Sequence, residues 1–183
     1  MVDFTSALYL GWNHAAVQSH RRHGQPLTLG KPAVLEEPAG SRILASRIAE
    51  LTGAEAGLVA PSTLHLALDV SMFLSERGVD FYAERGTYPT SRWGLELATA
   101  RGSRLNWFEH HSPESLRSVL RSARRSPVVV ADGVCSGCGA VTPLANYLEL
   151  AREHGGCLLV DDTQALGLLG DRSGEGALCA NIR

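Results

Sequence analysis

With 183 residues, 44% of them hydrophobic, the chain is long enough for about one domain with a sizeable core. A formal net charge of -2 and a pI near 6.4 leave no basic footprint, so neither nucleic acid nor an anionic membrane is an expected partner. The longest apolar runs are of strand length and Met1 to Thr5 carry no basic or apolar leader pattern, so no transmembrane span is expected and a cytoplasmic location is.

Residues 1–40 are punctuated by Gly11, Gly24, Pro26, Gly30, Pro32 and Pro38 and are expected to form an irregular N-terminal arm. From Ser41, the residues Ile43, Leu44, Ile48 and Leu51 recur at helical spacing, and Gly53 follows as a stop, which predicts a helix with those four facing the core. Residues 57–60 read as a short apolar strand. A turn follows, then a helix running towards Arg77 with Ser62 or Thr63 as its N-cap and Gly78 as its end. The free N–H groups and dipole of that helix end can hold a phosphate.

A second strand is predicted over 79–82 and a helix over 91–100, with Tyr88 at the turn between them. Residues 105–108 form the next strand, and Ser112-Pro113 opens a helix with an N-cap serine and a proline in its first position. The adjacent His110 and His111 should point apart and make a poor ligand set, so they are expected as exposed loop residues. Residues 128–132 read as a fourth buried strand ending in Asp132, followed by a small-residue loop and a helix from Thr142 to His154. The last strand, 157–160, ends in Asp161 and Asp162, and its apolar run predicts burial on both faces.

Strand and helix therefore alternate from Leu58 to Asp161, which predicts an α/β fold with a mostly parallel sheet between helical layers. Ligands of such sheets bind beyond the carboxyl ends of the strands, where Asp161 could hold a cationic nitrogen. Cys135-Ser136-Gly137-Cys138 has metal or redox spacing, but no second CxxC or spaced histidine pair accompanies it, and no metal site is expected. Four cysteines are too few for a disulfide scaffold in a chain of 183 residues.

Taken together, residues 6–11, the helix from Gly40 to Ala54 with Gly57-Leu58-Val59, the loop Asp132-Gly133-Val134-Cys135-Ser136 and the run from Val160 to Gly170 resemble fold type I pyridoxal-phosphate enzymes. Within them the likeness is to the α-oxoamine synthases and their aminotransferase class I/II relatives. The resemblance runs from about Asp3 to Gly170 and implies a three-layer sandwich, with residues 41–183 as a cofactor-binding large domain incomplete at its C-terminus. It implies pyridoxal 5'-phosphate as cofactor, with Asp161 pairing the pyridine nitrogen and Ser62, Thr63 and Leu64 in the phosphate-binding turn. Tyr88 would stack on the ring, Ser136 would line the pocket and Gln164 would reach the ring hydroxyl.

An amino-acid substrate, an acyl donor for the acyl-transfer branch, and a homodimer in the full-length form are further implications of the resemblance. Tyr88 and Gln164 stand where the synthases tend to carry histidine, so transamination and acyl transfer both stay open. The family's Schiff-base lysine has no counterpart before Arg183, and Lys31, the single lysine, precedes every expected strand. The 183 residues are therefore expected to be catalytically inactive alone. A rival reading is a non-catalytic α/β domain working as a binding or interaction module. A nucleotide-binding oxidoreductase is disfavoured because no G-x-G-x-x-G follows the first expected strand.

Overall fold

The computed structural model describes residues 39–170 and 174–177. The expected arm up to Pro38, with Lys31 and residues 6–11, lies outside the described residues, as does Cys179. Helix α1 (Ala39–Thr52) and helix α2 (Thr63–Ser75) precede strand β1 (Asp80–Glu84). Then come α3 (Pro89–Thr99), β2 (Leu105–Phe108), α4 (Pro113–Leu120), β3 (Pro127–Asp132), α5 (Leu144–Glu153) and β4 (Cys157–Asp161).

The four strands form one sheet in the order β2-β1-β3-β4, and every pairing is parallel. Parallel strands need crossovers, and α3, α4 and α5 supply them, so alternate residues of each strand meet helices on opposite faces. On one face Tyr82, Phe108, Val129 and Ala131 pack with Leu116 and Leu120 of α4 and with Leu144, Tyr147 and Leu150 of α5. Phe108 and Tyr147 meet edge-on, their ring centroids 5.2 Å apart. On the other face Phe81, Ala83, Val128 and Val130 pack with Leu95 and Ala98 of α3, and Leu74 of α2 joins them. Each of these large buried side chains stabilises the fold by about 1.5–3 kcal/mol through burial alone. The helices therefore flank the sheet on both sides, as the three-layer reading requires.

Helix α3 approaches α2 closely at Gly94, where a Cβ would collide with the carbonyl of Ala67 and meet Ser71 Oγ at 2.8 Å. Helix α4 begins as its sequence implies: Ser112 Oγ accepts the Ser115 N–H at 3.1 Å and Pro113 occupies the first turn. No helix of the described residues is long and apolar enough to cross a membrane.

Three expectations about the elements need correction. Residues 57–60 are not a strand: no ladder partner runs beside them among the described residues, and Leu58 is 76% exposed. Helix α1 does not turn Ile43, Leu44, Ile48 and Leu51 inward; these remain 41–64% exposed, while Ala45 and Ala49 are buried. The small residues face inward because the backbone at Gly57 comes so close that a Cβ there would overlap the Ala45 carbonyl. Strand β4 is an edge strand, so its residues are exposed or half-buried rather than buried on both faces.

Candidate active site

The carboxyl ends of β3 and β4 lie side by side, with Asp132 and Asp161 as ladder partners. Asp161 is half-buried, and its Oδ1 accepts the Thr163 backbone N–H at 3.1 Å and the Thr163 hydroxyl at 2.5 Å. Such an aspartate turn holds the carboxylate at the strand end instead of letting it swing into solvent. Asp162 has a different task. Both its oxygens accept the Ala177 N–H, at 3.1 and 3.2 Å, and Gly133 and Gly176 press against it where a Cβ would overlap its carboxylate. Burial raises its pKa. Asp162 thus ties the segment around Ala177 to the strand end.

Two cavities open along this edge. The first, of about 580 Å³, is lined by Thr63, Leu66 and Val70 of α2, by Ser91 of α3, by Asp161 at the end of β4 and by Asp162 and Thr163 just after it, among others. The amino end of α2 and the Asp161 carboxylate therefore share one space. Ser62 is the N-cap of α2: its Oγ accepts the His65 N–H at 3.4 Å and lies 2.8 Å from His65 Nδ1. Thr63 carries the first turn to the cavity wall, whereas Ser62 and Leu64 lie outside its lining.

The second cavity, of about 520 Å³, holds Tyr88 and Ser136 together with Arg85, Thr87, His110, Cys135 and Cys138. The site residues read from the sequence are thus distributed over two spaces, Thr63 with Asp161 and Tyr88 with Ser136. Gln164, half-buried in the turn after β4, is outside the lining of both. Thr87 Oγ1 is buried and has no hydrogen-bond partner among the described residues. A buried hydroxyl of that kind is costly unless a ligand or water satisfies it. In the first cavity a carboxylate and a helix N-terminus stand together, which suits a ligand with a basic nitrogen and an anionic group, whereas the orphaned hydroxyl and the half-exposed Tyr88 ring belong to the second.

Asp132 is the residue that sequence reasoning missed. Only 7% exposed, it accepts the Tyr88 backbone N–H on both oxygens, at 3.3 and 3.1 Å, and so fixes the start of α3. Burial, opposed by the Tyr88 N–H and reinforced by the Asp161 and Glu84 charges, pushes its pKa from 3.8 up to about 6. The signal in the sequence was a second strand ending in an acid, in register with Asp161.

A stability test follows from that shift. Because the folded pKa is raised, the Asp132 contribution is fully present below pH about 4 and is lost as pH rises through about 6. Asp132→Asn stays neutral at every pH and keeps an acceptor for Tyr88. Its stability relative to the parent is expected to improve by about 1–3 kcal/mol between pH 4 and pH 8. Urea unfolding at the two pH values measures this, and a flat difference would contradict it.

His110 and His111 also depart from expectation. They do not point apart: His111 has φ of +51°, which turns its ring back, and the two rings stack with centroids 3.8 Å apart. Both face Glu84, with His110 Nδ1 at 3.1 Å and His111 Nε2 at 3.9 Å from Glu84 Oε1. Glu84 also accepts a short hydrogen bond from the His111 backbone N–H and one from Tyr147 Oη at 3.3 Å. Burial is the main cause that lowers the His111 pKa, and burial likewise drives the Tyr147 pKa well above the ordinary tyrosine value.

A parallel sheet between two helical layers, with an acid at its carboxyl edge and a helix N-terminus lining the same cavity, defines an α/β protein. The chain belongs to the aminotransferase class I and II family, whose profile matches residues 2–179. The resemblance to the fold type I, pyridoxal-phosphate-dependent α-oxoamine synthases is thereby borne out. The 8-amino-7-oxononanoate synthase of Methylococcus capsulatus is 31% identical over 97% of this chain and 46% of its own length. That of Alkalilimnicola ehrlichii is 34% identical over 69% of this chain and 32% of its own. The chain therefore spans less than half the length of these curated relatives.

Among solved structures, the serine palmitoyltransferase of Sphingomonas wittichii superposes with a TM-score of 0.78 at 22% identity, covering 91% of this chain and 41% of that one. A variant serine palmitoyltransferase of S. paucimobilis, solved with a bound PLP–myriocin aldimine, gives 0.76 at 20% identity over 90% of this chain and 42% of that one. These likenesses establish the fold.

Proposed function

We propose that the chain is the cofactor-binding part of a pyridoxal-phosphate-dependent transferase acting on an amino acid. The observation that carries this reading is the cavity shared by the amino end of α2 and the Asp161 carboxylate. Bound there, pyridoxal phosphate would supply an electron sink for the pair of electrons left at the substrate α-carbon. Asp161 would hold the pyridine nitrogen protonated, and the N–H groups at residues 62–64 would bind the phosphate. Tyr88, its backbone anchored by Asp132, would cover the ring. Ser136 and Gln164 would complete the polar contacts. The 8-amino-7-oxononanoate synthase relatives favour acyl transfer from an acyl donor over transamination.

Residues 1–40 would form an arm and 41–183 the large domain, in a homodimer that buries the exposed apolar face of α1, with the protein acting in the cytoplasm. The Schiff-base lysine would come from further chain. Arginine cannot take its place, since the guanidinium stays protonated, and the single lysine, Lys31, stands between Gly30 and Pro32 in the sequence. The 183 residues alone would then bind the cofactor without turning over.

Titration of the chain with pyridoxal phosphate, followed through backbone amide shifts, tests the reading. Changes are expected at residues 62–64, 88 and 163, with no stoichiometric borohydride-dependent label on Lys31. Shifts confined to other regions would reject the site, and activity-linked labelling of Lys31 would move the catalytic role to the arm.

A further inference from the structure

The CxxC loop finds in the fold the third ligand that is missing from its sequence neighbourhood. His110, at the end of β2, brings its imidazole to the loop between β3 and α5, so that His110, Cys135 and Cys138 offer ligand atoms that all lie within 4.8 Å of one another. His110 Nε2 is already 3.4 Å from Cys138 Sγ. In a tetrahedral zinc site, bonds of about 2.0–2.1 Å to nitrogen and about 2.3 Å to sulfur place the ligand atoms roughly 3.5–3.8 Å apart. One pair is thus at the required separation, and closing the remainder needs movements on the order of 1 Å, within reach of side-chain rotation.

Three features show that the cluster is built rather than incidental. The imidazole is oriented from behind: Glu84 Oε1 stands 3.1 Å from His110 Nδ1, and Glu84 is 2% exposed. A carboxylate on the far nitrogen is the usual outer partner of a metal-binding histidine, since it leaves Nε2 as the lone-pair donor. Glu84 itself is committed to the His111 N–H and Tyr147 Oη, which makes it the support and not a ligand. The imidazole can reach this position because residue 86 is glycine, where any Cβ would overlap the His110 ring.

The loop is also preformed. The Cys135 N–H donates to the Ala140 carbonyl at 3.0 Å, the Gly139 N–H donates to the Cys135 carbonyl at 2.8 Å, and Val134 bridges Val141. Within it the Cys138 N–H points at Cys135 Sγ, 3.4 Å away, and so fixes the position of that sulfur. Both cysteines are free of disulfides.

We infer that His110, Cys135 and Cys138 form a binding site for a zinc ion. Two thiolates and one imidazole are the donor set of a thiophilic cation, and hard cations such as magnesium would find no oxygen ligands among these three. The fourth coordination position faces the cavity shared with Tyr88 and Ser136 and takes water. The inference stands on these side chains alone and does not depend on pyridoxal phosphate binding.

Cobalt(II) titration of the reduced chain tests it. One equivalent is expected to produce a thiolate-to-cobalt charge-transfer band with the intense visible bands of a four-coordinate ion, and zinc should displace it. Cys138→Ser, at an exposed position, should abolish the charge transfer while leaving the far-ultraviolet circular dichroism unchanged. His110→Ala should weaken binding, and Glu84→Gln should lower affinity by about ten- to a hundredfold. The double variant Cys157→Ser/Cys179→Ser should behave as the parent. The site is overturned if no charge-transfer band forms while both thiols react with a thiol reagent. It is equally overturned if the band survives Cys135→Ser/Cys138→Ser or disappears in the Cys157/Cys179 double variant.

Discussion

Asp161→Asn is expected to lower the affinity of the chain for pyridoxal phosphate by about ten- to a hundredfold, the equivalent of losing a charge-assisted hydrogen bond of roughly 1.5–3 kcal/mol. The substitution separates charge from architecture. Asparagine keeps an oxygen for the Thr163 N–H and hydroxyl, which now bond to Asp161 Oδ1, so the turn after β4 should persist. What it removes is the negative charge that would keep a pyridine nitrogen protonated. Asp161→Ala should lose the turn as well, with a further stability loss of about 1 kcal/mol. Absorbance and fluorescence titration with the cofactor measures the affinity, and urea unfolding measures the stability. If Asp161→Asn binds like the parent while Asp162→Asn does not, the roles of the two acids are reversed.

The contrast between those neighbouring acids illustrates how far the sequence could be read. That an apolar strand ends in Asp161 was legible, because four apolar residues between two glycines and two carboxylates permit little else. Both acids line the cavity, and what distinguishes them is their partners: Asp161 holds Thr163, whereas Asp162 holds the Ala177 N–H with Gly133 and Gly176 pressed against it, all of them distant from it in sequence. The order of strands and helices was readable from periodicity and caps: Ser62 and Ser112 both stand at the N-caps where their side chains suggested. Residues 57–60 misled because an apolar run reports burial or extension without reporting a partner strand. Ile43, Leu44, Ile48 and Leu51 misled for a related reason, since helical periodicity finds an apolar face but not what covers it.

The histidine pair failed on backbone conformation. Adjacent side chains ordinarily point in different directions, and the expectation for His110 and His111 as exposed loop residues rested on that. A positive φ at a non-glycine residue is uncommon and is not visible in composition, yet it is what stacks the two rings over Glu84. Glu84 was equally hidden. Read as sequence, it follows an apolar strand and precedes Arg85, which fits a solvated strand end; in the fold it is the most buried acid among the described residues.

That burial makes Glu84→Ala the most damaging single change expected here. Glu84 receives the His111 N–H, the Tyr147 hydroxyl and the His110 imidazole, three groups from two parts of the chain, the loop after β2 and helix α5. Tyr147 is fully buried, and its ring packs edge-on against Phe108 in the core between the sheet and α5. Removing the carboxylate leaves a buried hydroxyl without its acceptor, a half-buried backbone N–H unpaired and a small void beneath β1. Leaving each polar group unsatisfied costs about 1–3 kcal/mol, so a total loss of about 3–5 kcal/mol is expected. Glu84→Gln retains one acceptor oxygen of the same shape and should lose roughly half as much. If the Tyr147 hydroxyl is the dominant partner, adding Tyr147→Phe to Glu84→Ala should recover part of the loss, because the orphaned hydroxyl is then gone. Urea unfolding of the three variants against the parent reads this cycle. Strict additivity of the two substitutions would show that Glu84 stabilises the fold through the histidines instead.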